Sequence, residues 1–350
     1  MATPSSTEWP SLRPLFDAAS NIVVTCHHSP DGDALASLLA LSESLRATKH
    51  VASISPSPVP RSYRFLPGGE TIAVYRGDES EGGDPEARDG LAAADLVICL
   101  DCSDLERLGP LYEENRDKLL STPIVNIDHH ISNGFYGQVN LVDPSAASVC
   151  EFLVRIMEKE GLPISRQTAN VLLVGIVADT LGFRTGATSA ATLRTAASLI
   201  ERGASLSWAS ESVFNNRSAP ALRLWGRVLS RAQVDGRLVW SDITREMLDE
   251  CGATLADADT LVDFIAGVPG TSGAFLFSEQ DGKVRVSMRT SRDLNASDLA
   301  RFFGGGGHPR AAGCTLEGTI GEAERRVLAE ARGRLDTLVA GRGGQREIDA

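Results

Sequence analysis

Along the first half of the chain, short apolar runs alternate with longer stretches whose apolar residues recur three and four positions apart. The runs predict strands over 22–26, 51–54, 71–75, 96–100 and 124–127, and the helical spacing predicts helices over 34–49 and around 111–120. Near-continuous apolar strands fit a sheet covered on both faces, and the strand–helix alternation fits a doubly wound, mainly parallel α/β sheet. Between Arg76 and Leu91 the sequence is acidic and aperiodic and reads as a surface loop. Helical spacing resumes over 147–162, 168–179 and 189–203. The pattern then changes, which divides the chain into a first domain over 1–205, a linker over 206–223 and a smaller α/β domain over 224–340. In the second domain, strand-like runs (RLVWSDI, GAFLFSEQ, KVRVSMRT) precede a helix near 296–303 and a long helix over 321–339. The last ten residues, 341–350, read as a disordered tail.

Four of the apolar elements end in residues with metal-ligand chemistry: His27, Asp31 and Asp33 in CHHSPDGD, Asp101 in LDCSD, Asp128, His129 and His130 in NIDHH, and Asp179 in GIVADT. Ligands at the carboxyl ends of parallel strands open into one crevice, so sequence-distant clusters can converge. Two divalent cations about 3.5–4 Å apart need several carboxylates to offset their charge, one of them bridging, with imidazoles at the less charged positions. Asp31 and Asp33, one residue apart, can direct a carboxylate at each cation from one strand-to-helix turn. Such a pair activates water toward phosphorus, which is metal-assisted phosphoester hydrolysis. Taken singly, a strand-end Asp is more often a helix cap, and Asp33 and Asp179 could each serve that way. The chain has six His, and four of them form two adjacent pairs in these clusters, which favours the joint reading.

Composition narrows the partners. The formal net charge is −12, poorly suited to gripping long duplex nucleic acid through its phosphates, so small anionic substrates are favoured. No apolar stretch reaches the roughly 20 residues needed to cross a bilayer and the N-terminus does not read as a signal peptide, so a cytoplasmic protein without a membrane partner is expected. The six Cys are scattered in apolar elements, and Cys99 and Cys102 read as a buried pair rather than a redox centre.

The second domain carries FFGGGGHPRAAGC. Four consecutive glycines suggest positive φ or close backbone approach, and successive N–H groups there would form an anion-binding nest with His308 and Arg310. From Lys283 to Arg310 there are six Lys/Arg against two Asp, opposing the global charge.

HHSPDGDA, LDCSD, NIDHH, DPSAASVCE, GIVADT and GGGGHPRAAG, in that order over nearly the whole chain, resemble the motifs of the DHH phosphoesterases with a DHH-associated C-terminal domain. The likeness is greatest to their short stand-alone forms, of the oligoribonuclease (nanoRNase) and 3′-phosphoadenosine-5′-phosphate phosphatase type. The resemblance implies that His27, Asp31, Asp101 and Asp179 hold one manganese and that Asp33, Asp101, His129 and Asp179 hold the other, with Co2+ or Mg2+ as substitutes. It implies that His130 contacts the scissile phosphate and that Asp128 orients the His pair. Arg289, Gly305, Gly306, Gly307, His308 and Arg310 would bind substrate from the second domain, and the protein would be a homodimer. Two positions depart from the family pattern: Leu181, where glycine is common, and Val149-Cys150, where Ser-Thr is common.

The implied activity is hydrolysis of very short RNA, of linear dinucleotides such as pApA and of 3′-phosphoadenosine-5′-phosphate, with cyclic dinucleotides as a further substrate class. An inorganic pyrophosphatase or polyphosphatase on the same metal site is the first alternative, although such enzymes lack the FFGGGGHPRAAG element. A non-catalytic nucleotide-binding module is the second, and it would be expected to have lost a metal-ligating carboxylate.

Overall fold

A computed structural model describes residues 9–77, 84–215, 217–258, 260–280 and 282–346. The chain forms two compact units, Met1–Asn216 and Arg217–Ala350.

The first unit is built on β1 (Asn21–Cys26), β2 (His50–Ser55), β3 (Ile72–Val74), β4 (Leu96–Leu100), β5 (Ile124–Asp128) and β6 (Val139–Val142). These strands pair in parallel in the order β3-β2-β1-β4-β5-β6, a doubly wound arrangement whose direction reverses between β1 and β4. Successive strand residues serve two cores. Val24, Ile98 and Ile127 face α1 (Arg13–Ala18), α2 (Gly32–Arg46), α6 (Val149–Glu160), α7 (Arg166–Asp179), α8 (Ala190–Glu201) and α9 (Leu206–Phe214). Val23, Val97 and Ile124 face α3 (Pro85–Ala93), α4 (Pro110–Glu114) and α5 (Arg116–Ser121). Burial on both faces is why these strands carry almost no alternation of polar residues.

Three expectations change here. Part of the segment read as an acidic loop is α3, whose start is written as Asp84-Pro85-Glu86, an N-cap followed by a first-turn proline and an acidic residue, with Ala87 and Leu91 buried one turn apart. Residues 78–83 of that segment lie outside the described residues. The single helix expected around 111–120 is two helices, because Asn115 leaves helical geometry between them. The stretch read as a linker is largely helical, and α9 packs Ala209 into the core of the first unit.

The helices α2 and α7 are apolar nearly all round and pack against each other inside the layer. Two glycines let them approach. A Cβ on Gly32 would sit 2.8 Å from Ala178 Cβ, and one on Gly175 would sit 2.3 Å from Cys150 Sγ and 2.9 Å from Asp33 Oδ1. The contact brings Asp33, in the first turn of α2, toward Asp179, the last residue of α7.

The second unit contains α10 (Ala219–Ser230), β7 (Gln233–Asp235), β8 (Leu238–Ile243), α11 (Arg245–Cys251), α12 (Leu261–Ile265), β9 (Gly273–Gln280), β10 (Lys283–Thr290), α13 (Ala296–Phe302), β11 (Gly306–Gly307), β12 (Ala311–Glu317) and α14 (Ile320–Arg346). Its sheet runs β11-β12-β10-β9-β8-β7 and is antiparallel except for the parallel pair β8–β9. α14 runs to Arg346, into the stretch 341–350 that was expected to be a disordered tail. Residues 347–350 lie outside the described residues. No described helix is long and apolar enough to cross a membrane, and all six cysteines are buried and unpaired.

Gly175→Ala tests the close approach. Helix propensity alone would favour Ala by about 1 kcal/mol, whereas overpacking costs about 1–3 kcal/mol, so a net loss of stability is expected. Adding Cys150→Ala should recover part of it in denaturant melts. A Gly175→Ala protein as stable as the parent would show that the two helices have room to spare.

Candidate metal centre

The strand register builds the site. Cys26 pairs with Leu100, and Leu100 with Ile127, so His27, Asp101 and Asp128 follow one another on adjacent strand ends at the reversal of strand order. Asp101 remains tied to the sheet through its N–H, which donates to the carbonyl of Ile127 at 3.1 Å, yet its φ is +54°. That left-handed backbone is tolerated by Asp better than by most residues and turns the side chain out of the strand. Asp31 is the N-cap of α2: its Oδ1 accepts from the N–H groups of Asp33 (3.0 Å) and Ala34 (3.1 Å). The capping role that Asp33 could have filled therefore belongs to Asp31, and Asp33 lies inside the helix.

Three triads of potential ligand atoms result among the described residues, each with its atoms within 4.8 Å of one another: His27/Asp31/Asp101 and Asp33/His129/Asp179, which share no residue, and Asp101/His129/His130, which overlaps both. Asp101 stands between the first two. Its Oδ2 is 3.8 Å from Nε2 of His27, and its Oδ1 is 3.7 Å from Nε2 of His129. His129 Nε2 is also 3.6 Å from Asp179 Oδ2. Both imidazoles are fixed through their other nitrogen, His27 Nδ1 lying 2.9 Å from the carbonyl of His28 and His129 Nδ1 3.2 Å from that of Ala146. Backbone partners of this kind hold Nε2 as the ligand nitrogen.

The electrostatics fit divalent cations. Burial, then the charge of Asp101, raises the carboxyl of Asp33 to about 7. Burial, then Asp31, raises Asp101 to about 6, and burial followed by Asp33 raises Asp179 well above the usual carboxylate range. Burial alone would lower His129, but Asp101, Asp179 and Asp33 outweigh it and bring the ring to about 9. Burial lowers His27. Asp101 Oδ1 is buried and accepts no hydrogen bond. So much like charge, with an orphaned carboxylate oxygen at its centre, is the environment that bound cations would relieve.

Asp33 is steadied from the far side of the layer. Its Oδ2 accepts from the N–H of Val149 (2.5 Å) and its Oδ1 from that of Cys150 (3.0 Å), at the start of α6. Backbone groups make these bonds, so the departure from the family's Ser-Thr at 149–150 leaves them intact. The other departure has a conformational meaning: Leu181, Gly182 and Phe183 all have positive φ (+50°, +72° and +65°), and glycine at 181 would avoid a penalty of about 1–2 kcal/mol that leucine incurs.

Asp128 does not reach toward the triads. It is fully buried, and its Oδ1 accepts from the N–H of His129 (2.7 Å), the N–H of His130 (3.2 Å) and Nδ1 of His130 (2.7 Å). Its Oδ2 accepts from Asn133 Nδ2 at 2.7 Å, and Asn126 Nδ2 donates to Asn133 Oδ1 at 2.8 Å. Burial opposes ionisation of Asp128, but the bonds from His130 and Asn133 hold it at about 2. His130 answers in the opposite direction: burial would lower it, and the bond to Asp128 together with the charge of Asp101 raises it. Asn126 and Asn133 escaped the sequence reading. The available signal was Asn126 itself, a polar residue in the middle of an apolar strand, which needs a buried partner.

In the second unit the glycine run is explained by backbone geometry. Gly304 has φ +77° and donates to the carbonyl of Arg301, while Gly305 donates to that of Ala300, a Schellman cap on α13. A Cβ on Gly305 would lie 2.2 Å from the carbonyl oxygen of Gly313, Gly306 and Gly307 form β11, and the N–H of His308 donates to the carbonyl of Ala311. Protein carbonyls thus take the N–H groups of Gly304, Gly305 and His308, three of the donors that the expected nest would have used. Arg289 forms a two-pronged ion pair with Asp263, Nε to Oδ1 at 2.6 Å and Nη2 to Oδ2 at 3.2 Å. Arg310 Nη1 donates to the carbonyls of Ser291 and, at 3.0 Å, Leu294.

Residues 21–176 match the DHH family, N-terminal domain, and residues 244–337 match the DHHA1 domain. The bifunctional oligoribonuclease and PAP phosphatase NrnA of Thermus thermophilus is 31% identical over 90% of this chain and 90% of its own length. The enzyme of that name from Bacillus subtilis is 30% identical over 91% of this chain and 94% of its own. The crystal structure of an exopolyphosphatase-related protein from Bacteroides fragilis superimposes with a TM-score of 0.86 at 26% identity, covering 94% of this chain and 96% of the other.

Cation binding should release protons. Coordination needs deprotonated ligands, while at pH 7 His129, at about 9, is protonated and Asp33, at about 7, is half protonated. Affinity for Mn2+ should therefore rise with pH through this range. Titration calorimetry in two buffers of different ionisation enthalpy should show at least about one proton released per chain at pH 7. Affinity independent of pH, without proton release, would contradict this set of ligands.

Proposed function

The chain belongs to the DHH family of phosphoesterases, and on that premise we propose that it is a manganese-dependent hydrolase of very short oligoribonucleotides, of linear dinucleotides such as pApA and of 3′-phosphoadenosine-5′-phosphate. The observation that carries the reading is the position of Asp101 between two triads, with one carboxylate oxygen toward each. His27, Asp31 and Asp101 would hold one cation and Asp33, His129 and Asp179 the other, with Asp101 placed to serve both. Mixed nitrogen and oxygen donors suit manganese better than magnesium, which prefers water and carboxylate. The bound pair supplies Lewis-acid activation of a water and neutralises charge on the phosphoryl oxygens.

The remaining chemistry belongs to the chain. His130, its Nδ1–H committed to Asp128, keeps a fixed ring orientation and a raised proton affinity, which suit it to donate to the phosphoryl group under attack. Asp128, held at about 2, is too weak a base to take that proton from His130. Asn133 locks the second oxygen of Asp128 and prevents the carboxylate from rotating. In the second unit, His308 and β11 contribute to substrate binding, while Arg289 and Arg310 shape that surface through the bonds they already make. The relatives named oligoribonuclease and PAP phosphatase match this chain over about nine tenths of their lengths, which favours nucleotide substrates over inorganic ones.

A manganese-supplemented panel tests the reading: pApA, cyclic di-AMP, RNA of two to five nucleotides, 3′-phosphoadenosine-5′-phosphate, polyphosphate and pyrophosphate. Turnover of the linear nucleotides, abolished by chelation and restored best by Mn2+, is expected. Dominant cleavage of pyrophosphate or polyphosphate would instead assign the site to inorganic substrates, and full activity after exhaustive chelation would exclude the two-metal mechanism. Asp101→Ala should reduce kcat by no less than about 100-fold in a folded protein, since it removes a group that both cations share. Near-normal turnover in that variant, with metal content measured alongside, would remove Asp101 from the bridging role.

A further inference from the structure

We propose that Tyr63 is a positioning residue of the metal centre: its ring wedges the joint of α2 and α7 and so sets the spacing of the helix-end carboxylates Asp31 and Asp179. The inference rests on the two-cation reading above. Tyr63 ends the 3-10 turn Arg61–Tyr63, in the connection between β2 and β3. That connection is anchored at two points on the segment that carries His27, Asp31 and Asp33. The N–H of Ser29 donates to Ser57 Oγ at 2.8 Å. Farther along, the ring of Tyr63 lies against Gly32: a Cβ on Gly32 would sit 2.7 Å from Tyr63 Cε1, 2.9 Å from its Cζ and 2.8 Å from Ala178 Cβ. The notch left by one glycine thus receives both the tyrosine ring and the side chain of Ala178.

The neighbours of that notch give the contact its meaning. Gly32 is flanked by Asp31, of the first triad, and Asp33, of the second, and Ala178 directly precedes Asp179. The ring is itself held from behind. Its centroid is 6.3 Å from that of Phe65, which meets Trp208 of α9 edge to face at 5.8 Å. All three aromatic residues pack against the apolar core that contains α2 and α7. The ligands His27, Asp101 and His129 follow strand ends, whose register the sheet fixes. Asp31 and Asp179 move with their helices, and the sheet ladder does not set the distance between those helices. A rigid ring in a close-packed joint does, whereas a smaller side chain would leave a void into which the helix ends relax.

The test titrates Mn2+ into the metal-free protein and into its Tyr63→Ala, Tyr63→Leu and Tyr63→Phe variants. It follows the EPR spectrum, in which two exchange-coupled Mn2+ ions differ from two separate ones, and measures pApA turnover and melting temperature alongside. Tyr63→Ala should need about 10- to 100-fold more Mn2+ than the parent to reach the coupled spectrum, the usual cost of losing a group that orients metal ligands. At the parent's Mn2+ concentration its kcat should fall while KM for pApA hardly changes. Tyr63→Phe should keep the coupled spectrum, because ring carbons make the contact with the Gly32 notch. Tyr63→Leu, which fills part of the notch, carries the comparison where Tyr63→Ala does not fold. A parental spectrum and kcat in a folded Tyr63→Ala or Tyr63→Leu protein would overturn the inference while leaving the two-cation centre standing. Tyr63→Phe as impaired as Tyr63→Ala would overturn it too, by assigning the effect to the hydroxyl rather than the ring. A parent that never shows a coupled pair would overturn the two-cation centre itself, and the role of Tyr63 with it.

Discussion

Concentrating buried carboxylates in one place is the constraint on which the first unit depends. Asp33, Asp101 and Asp128 are almost wholly buried, and Asp179 is close to them. In a low dielectric, like charges at such spacing repel by several kcal/mol per pair, and each loses hydration. The fold answers with a different device for each group. Asp33 is met by two N–H groups at a helix start, Asp128 by three donors from the following residues and an amide, and Asp31 by the first turn of its own helix. Among the described residues, Asp101 Oδ1 is buried without a hydrogen bond, at the midpoint of the cluster.

The same logic separates the two adjacent histidines. His129 is surrounded by the carboxylates of both triads, whereas the Nδ1 of His130 is taken by Asp128. The two rings lie edge to face with centroids 4.7 Å apart and both approach Asp101 Oδ1, so what separates them is the bond from His130 Nδ1 to Asp128. Asn126 and Asn133 continue that separation into the core. Their amides hold Asp128 in one orientation without adding charge to a region that already has an excess of it.

The convergence of His27, Asp31, Asp33, Asp101, His129 and Asp179 was legible in the sequence because it is written in residue identity: rare imidazoles and paired carboxylates at the ends of apolar runs. The parallel, doubly wound sheet was legible because strands buried on both faces leave few polar interruptions. What could not be read were features whose cause lies elsewhere in the chain. The glycines after Phe303 look like a ligand loop until α13 is seen to need a left-handed cap at Gly304, and until Gly305 is seen against the backbone of Gly313. Val139–Val142 was passed over because only its pairing with β5 makes it a strand. The helix at Pro85–Ala93 was hidden by an acidic composition that outweighed its own capping signal. Asn126 was counted as part of a strand and not as a residue that needs a partner.

The centre also has walls of unequal stiffness. His27, Asp101 and Asp128 continue from β1, β4 and β5, which lie inside the sheet with neighbours on both sides, the part of a domain whose local opening costs most of the global stability. Asp31 and Asp179 sit instead at helix ends, Asp31 exposed and Asp179 followed directly by the left-handed segment Leu181–Phe183. Small fluctuations displace that side first. Any compliance in the cluster is therefore expected on the flank of the helix-end carboxylates, while Asp101 is tied to the sheet through its N–H.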